Sequence, residues 1–174
     1  MLWNRKISLT TVTDPLEILR FHIGESLFAA SAVPIRDGRL ADVGSGAGFP
    51  GLPLRMLLPE LDLTLIESNS KKAAFLAEAA RTLDLDHVWV LRSRMEQVDS
   101  SIAPFQFTTS RALGHHDEFL AWSRSRLKEG GKVILWVGEE DAEAIRQKLG
   151  WLWRKPIHIP GSRRRCLLVG SPRA

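Results

Sequence analysis

The sequence contains no tyrosine and only one cysteine, Cys166. A single thiol excludes an internal disulfide and any zinc site built from several thiolates, and it suits a reducing compartment. Without tyrosine, the Tyr-x-x-x-Lys pair of short-chain dehydrogenases cannot be assembled. No apolar run approaches the roughly 18 to 20 residues that cross a bilayer, and residues 1–13 hold no apolar stretch of a secretion signal. A cytoplasmic protein with no membrane partner is expected. Acids are also missing beyond Glu143, where eight of the 24 lysines and arginines lie, so the remaining 16 face all 20 acids in residues 1–143. The body is mildly acidic and the tail basic. Such a tail, centred on Arg163, Arg164 and Arg165, either neutralises nucleic-acid phosphates or forms a solvated edge.

What is present is enough for one substantial core: 174 residues, 44% of them hydrophobic. Short apolar runs alternate with helical patterns, which predicts an α/β fold with a mostly parallel central sheet and helices on both faces. Strands are predicted near Leu40–Val43, Leu63–Glu67, Val88–Leu91, Phe105–Ser110 and Val133–Val137, with a final pair over Trp151–Trp153 and Cys166–Gly170. Phe75, Leu76, Ala79, Ala80 and Leu83 recur at helical spacing, with Ser68 or Ser70 as the expected cap. Helices are also predicted near Asp117–Leu127 and Glu139–Leu149, the latter ended by Gly150. Asp14-Pro15 opens a short helix reaching about His22. The expectation is a single domain, with a helical extension over 1–38 and a Rossmann-like core over 39–174.

The most informative stretch is Ala41-Asp42-Val43-Gly44-Ser45-Gly46-Ala47-Gly48-Phe49-Pro50-Gly51, where the first strand hands over to a helix. Glycines permit a tight turn and close approach of a ligand, and the helix start offers free N–H groups. In a doubly wound sheet this point binds ligands. Glu67, at the end of the next strand, can accept hydrogen bonds from a ribose diol, so a nucleoside-bearing cofactor fits the spacing. Gly46, Gly48 and Gly51 also satisfy the dinucleotide fingerprint, which keeps an NAD-dependent oxidoreductase open. Asp42, two residues before the first glycine, favours the D-x-G-x-G loop of methyltransferases instead. His115-His116 lacks a third ligand at sensible spacing, so no metal is expected.

Residues 42–54, Asp-Val-Gly-Ser-Gly-Ala-Gly-Phe-Pro-Gly-Leu-Pro-Leu, resemble the signature loop of the RsmG/GidB family. Glu67-Ser68 with Lys71-Lys72 and Phe75-Leu76, then Arg94-Met95-Glu96, then Ser110-Arg111-Ala112, follow in that family's order. Upstream, Trp3-Asn4, Ser8-Leu9-Thr10 and His22 with Glu25-Ser26-Leu27 echo its N-terminal motifs. The resemblance implies a class I methyltransferase that uses S-adenosyl-L-methionine to methylate N7 of a guanine in 16S rRNA. Its partner would be 16S rRNA or a small-subunit precursor, and a monomer is expected. It further implies Gly44 and Phe49 on the methionine side of the cofactor, Met95 and Glu96 beside the adenine, and Arg111 near the sulfonium end. Asp42, Gly46, Gly48 and Glu67 complete the expected cofactor set, with Lys71, Lys72 and Arg163–Arg165 as candidate RNA contacts. In one departure, Val137 stands where the family usually has lysine.

Other methyltransferase chemistries leave marks that are missing. The Pro-Pro-aromatic motif of amino-group methylation is replaced by Ser110-Arg111-Ala112, and Cys166 follows arginine rather than the proline common before a pyrimidine-methylating thiol. Guanine N7 already presents a lone pair, so positioning can carry the reaction without an acid or base. A catalytically inactive RNA-binding relative, with Val137 recording the lost activity, remains an alternative.

Overall fold

A computed structural model describes residues 3–5, 7–111, 114–162 and 164–173. After a 3₁₀ turn at Trp3–Arg5 the chain forms α1 (Pro15–Ile18), a π-helical stretch (Leu19–Gly24) and α2 (Glu25–Ala32). The Asp14 carboxylate accepts the N–H groups of Leu16 and Glu17, both at 2.9 Å, and Pro15 takes the first position, where its missing N–H costs nothing. The helical run therefore continues well past His22, the expected end, because nothing after Asp14-Pro15 breaks it until Val33 adopts extended backbone.

There follow β1 (Gly38–Val43), α3 (Gly51–Leu57), β2 (Leu61–Ile66), α4 (Ser70–Thr82), β3 (Val88–Leu91), β4 (Phe105–Arg111) and α5 (His116–Arg126). The chain then forms β5 (Leu127–Gly138), α6 (Glu139–Arg146), β6 (Trp151–Trp153), β7 (Ile157–His158) and β8 (Arg165–Pro172). The sheet runs β3-β2-β1-β4-β5-β8-β6, with β7 also on β8. Strands β1 to β5 pair in parallel, whereas β8 runs antiparallel to β5 and to β6.

Alternate strand residues feed two apolar layers. Leu40, Leu63 and Leu65 join Ala29 and Val33 near α2, Leu54 of α3 and Leu76 of α4. On the other face Ala41, Val43 and Leu135 meet Phe119 of α5 and Ile145 of α6. Strands covered on both faces read as continuous apolar runs, and Val133–Val137 of β5 is an example.

Three further local expectations change. Asn69, not Ser68 or Ser70, caps α4, accepting from the N–H groups of Lys71 and Lys72 at 3.0 and 3.1 Å. Strand β5 begins at Leu127 instead of Val133: Leu127 pairs with Phe105 and Lys132 with Phe107, so Lys128–Gly131 bulge outward. Helix α6 stops at Arg146, short of Leu149. No described helix is long and apolar enough to cross a membrane.

Candidate active site

Because β2 and β3 lie on one side of β1 while β4 lies on the other, the strand order reverses between β1 and β4. The glycine loop rises from this switch point. Asp42 lies beneath the loop, fully buried, and its Oδ2 accepts the N–H of Gly51 at 3.0 Å. A Cβ on Gly51 would stand 2.8 Å from that oxygen and 2.7 Å from Leu65 Cδ2, so the start of α3 can press against β1 only as glycine. Burial pushes the Asp42 carboxyl up to about 7; the Gly51 bond opposes this, nearby Glu67 adds to it and Arg111 opposes it. The acid expected in the cofactor set thus makes internal contacts, holding the loop from below. Gly48 is internal as well: φ is +88°, and a Cβ there would overlap Leu52.

Glu67 ties the loop to the next helix. Its Oε2 accepts the Gly46 N–H at 2.9 Å and its Oε1 the Asn69 N–H at 2.8 Å. Each oxygen keeps a lone pair for a further donor.

Two clefts open at this end of the sheet. The first, about 440 Å³, is walled by Gly44, Ser68, Ser93, Arg94, Met95 and Glu96, with His115 and Glu118 at its side. Of the expected cofactor residues, Gly44, Met95 and Glu96 meet here. Phe49 does not line it; its ring stacks on His22. The second, about 310 Å³, is walled by Arg111, His116, Trp136, Val137, Asp141 and Arg165. Arg111 therefore belongs to a neighbouring cleft, and Val137 stands on its wall. The two adjoin, since β1 and β4 are paired and Ser110 Oγ donates to the Val43 carbonyl at 2.9 Å.

Arg111 is held by donation to the Phe21 carbonyl at 2.7 Å and by Glu25 at 3.1 Å, which also pairs with Arg165 at 3.2 Å. Burial raises the Glu25 carboxyl while both arginines lower it. His22, hydrogen-bonded to Thr10 Oγ1 at 2.8 Å, is lowered by burial and then by Arg111 and Arg165.

The candidate RNA residues separate. Lys71 and Lys72 sit in the first turn of α4, Arg164 is exposed beyond the second cleft, Arg165 is engaged with Glu25, and Arg163 lies outside the described residues. Sequence reasoning missed the parts played by Glu25 and Trp136. A carboxylate on the apolar stretch Glu25-Ser26-Leu27-Phe28 was the available signal. Among the described residues no cluster of His, Cys, Asp and Glu could hold a metal ion.

The model of the GidB family, "rRNA small subunit methyltransferase G", matches residues 1–151. The chain belongs to this family. Among its relatives, the ribosomal RNA small subunit methyltransferase G of Roseiflexus castenholzii is 36% identical over 178 residues, covering 96% of this chain and 76% of that protein. The same-named protein of Xanthomonas euvesicatoria is 38% identical over 162 residues, covering 91% and 75%. GidB membership sets aside the oxidoreductase alternative. Solved structures share the fold at low identity: the ribosomal protein L11 methylase of Lactobacillus delbrueckii has a TM-score of 0.73 at 16% identity, covering 86% of this chain and 78% of that one. The glycopeptide N-methyltransferase MtfA complexed with S-adenosyl-L-methionine has a TM-score of 0.70 at 14% identity, covering 87% and 88%. The Rossmann-like methyltransferase fold expected from the sequence is the one observed.

Proposed function

We propose that this chain, as a single-domain monomer in the cytoplasm, transfers a methyl group from S-adenosyl-L-methionine to N7 of a guanine in 16S rRNA or a small-subunit precursor. The observation that carries the reading is the pair of adjoining clefts, one beside the glycine loop and one walled by Arg111, joined where Ser110 bonds Val43. Neighbouring clefts of this kind suit two ligands that react with each other. The residues fit two polar ligands: Glu67 keeps acceptor capacity beyond its bonds to Gly46 and Asn69 for the cofactor, and on the wall of the neighbouring cleft Arg111 Nη1 is buried without a partner, leaving a donor for the base.

In this reading Gly44, Met95 and Glu96 wall the cofactor cleft. Gly46 and Glu67 offer a backbone turn and a carboxylate to the nucleoside, while Asp42 and Gly48 hold the loop's shape and Phe49 closes its far side. When bound, the cofactor supplies an electrophilic methyl group on a positively charged sulfur. Arg111 and Trp136 wall the neighbouring space in which the base is held. Guanine N7 carries no proton at neutral pH, so no side chain has to remove one. Orientation is worth roughly 7 to 11 kcal/mol, more than the typical 10²- to 10⁴-fold from a proton-transfer group.

Calorimetry with S-adenosylmethionine, S-adenosylhomocysteine and NAD, followed by methyl transfer to undermethylated small-subunit rRNA, tests the reading. The first two ligands bind and NAD does not. Single-turnover rates stay flat from about pH 7 to 9. Cofactor binding without turnover on RNA or particles would instead identify an inactive relative, and a tenfold rise per pH unit would point to another target atom.

A further inference from the structure

We infer that Glu25 is the positioning residue of the second cleft, an assignment that rests on the methyltransferase reading above. Three side chains walling this cleft, Arg111, Trp136 and Arg165, come from the end of β4, from β5 and from the start of β8. All three converge on Glu25. Its Oε2 lies 3.1 Å from Arg111 Nη2 and 3.2 Å from Arg165 Nη1, and its main-chain carbonyl accepts the Trp136 Nε1–H at 3.0 Å. The carbonyl of Phe21, one turn earlier, accepts from Arg111 as well. The start of α2 is thus the common anchor of three strands whose side chains face the base.

The carboxylate is 3% exposed and does not wall the cleft, so it acts through its partners. One negative charge lies between two guanidinium groups, and without it they repel in a poorly hydrated setting. Arg111, 10% exposed, has nowhere to go, whereas Arg165, 40% exposed, can swing outward. An outward Arg165 is an extra cation for RNA phosphates and a missing wall for the base. Loss of Glu25 therefore separates binding from turnover, which a general loss of stability does not do.

Glu25→Gln, nearly the same shape without the charge, tests this. Equilibrium binding to a 16S rRNA transcript with S-adenosylhomocysteine present should be no weaker than wild type, with a salt slope steeper by about 0.7 to 0.9. S-adenosylhomocysteine affinity should stay within about twofold, while kcat falls by about tenfold or more. Glu25→Asp, which keeps the charge on a shorter stem, should restore the wild-type slope and recover part of the rate. An unchanged kcat in Glu25→Gln overturns the inference. So does a parallel fall of cofactor affinity, RNA affinity and melting temperature, which would make Glu25 a packing residue. If Glu25→Gln does not fold, Glu25→Asp decides: a wild-type slope with lowered kcat supports positioning, and wild-type kcat overturns it. A wild-type protein that transfers no methyl group would overturn the methyltransferase reading instead, and the salt slope of Glu25→Gln would still decide the charge role of Glu25.

Discussion

The ring of His22 lies against that of Phe49, with centroids 4.9 Å apart and planes 23° from parallel. A residue from the π-helical stretch thereby holds the outer corner of the glycine loop, and its bond to Thr10 brings the preceding segment along. Stacked aromatic pairs contribute about 0.5 to 1.5 kcal/mol beyond burial. His22→Ala should weaken S-adenosylhomocysteine binding by roughly 2- to 12-fold, measured by calorimetry, and His22→Phe should retain most of the affinity. Equal affinity in all three proteins would mean that Phe49 needs no support.

Asp42 makes stability depend on pH. Its folded carboxyl titrates near 7 against an ordinary value of 3.8, so the folded chain binds more protons between those limits and stability falls as pH rises through that window. His22, lowered from 6.5, has the opposite sense: its contribution is lost as pH falls below 6.5. Urea unfolding at about pH 5, 6, 7 and 8 should show Asp42→Asn losing less stability than wild type as pH rises. Parallel profiles would contradict the raised carboxyl. Asn can still accept from Gly51, so the fold should persist.

Glu67→Gln should damage the loop more than its similar shape suggests. The two oxygens of Glu67 face the N–H groups of Gly46 and Asn69, and an amide turns its NH₂ toward one of them. A buried donor left facing a donor costs about 1 to 3 kcal/mol. A lower melting temperature together with weaker S-adenosylhomocysteine binding is expected. Gly46→Val, which forces a branched side chain into φ +56°, should share that phenotype. Wild-type behaviour of both variants would place the cofactor elsewhere.

RNA affinity should follow Arg20 and Arg164 more than the whole basic tail. These two arginines wall a hollow of about 620 Å³ beside Arg165, bringing the N-terminal helical region against the loop before β8. Among the described residues neither has an ion-pair partner. Each phosphate contact contributes about 0.7 to 0.9 to the salt slope. The Arg20→Gln, Arg164→Gln double variant should flatten the slope by about 1.4 to 1.8 without changing S-adenosylhomocysteine affinity. An unaltered slope would leave this hollow a solvated surface.

The sheet was legible because its strands are rich in apolar residues, with an unbroken run at Val133–Val137, and the switch point because glycine spacing is a local signal. Boundaries were less so: the bulge at Lys128–Gly131 depends on which β4 residue each end of β5 meets, and no local pattern encodes that pairing. Within the site, Gly44, Met95 and Glu96 could be grouped from motif order. What could not be read was direction. Asp42 and Gly48 sit in the loop's sequence but point into the protein, and Arg165 reads as tail charge until Glu25 is seen beside it. Those distinctions arise from contacts between segments far apart in the chain.

Strand β8 enters the sheet between β5 and β6, and its first residue is the one that reaches Glu25. Contacts spanning so much of a chain are slow to form, because a long loop must close before they can stabilise anything. During synthesis the glycine loop, β1 and β2 can therefore associate while the wall of the second cleft is still missing. On the proposed assignment of the two clefts, a nascent chain accepts cofactor before it can hold a base. Competence toward RNA would then arrive abruptly, with the last strand, rather than growing in proportion to length.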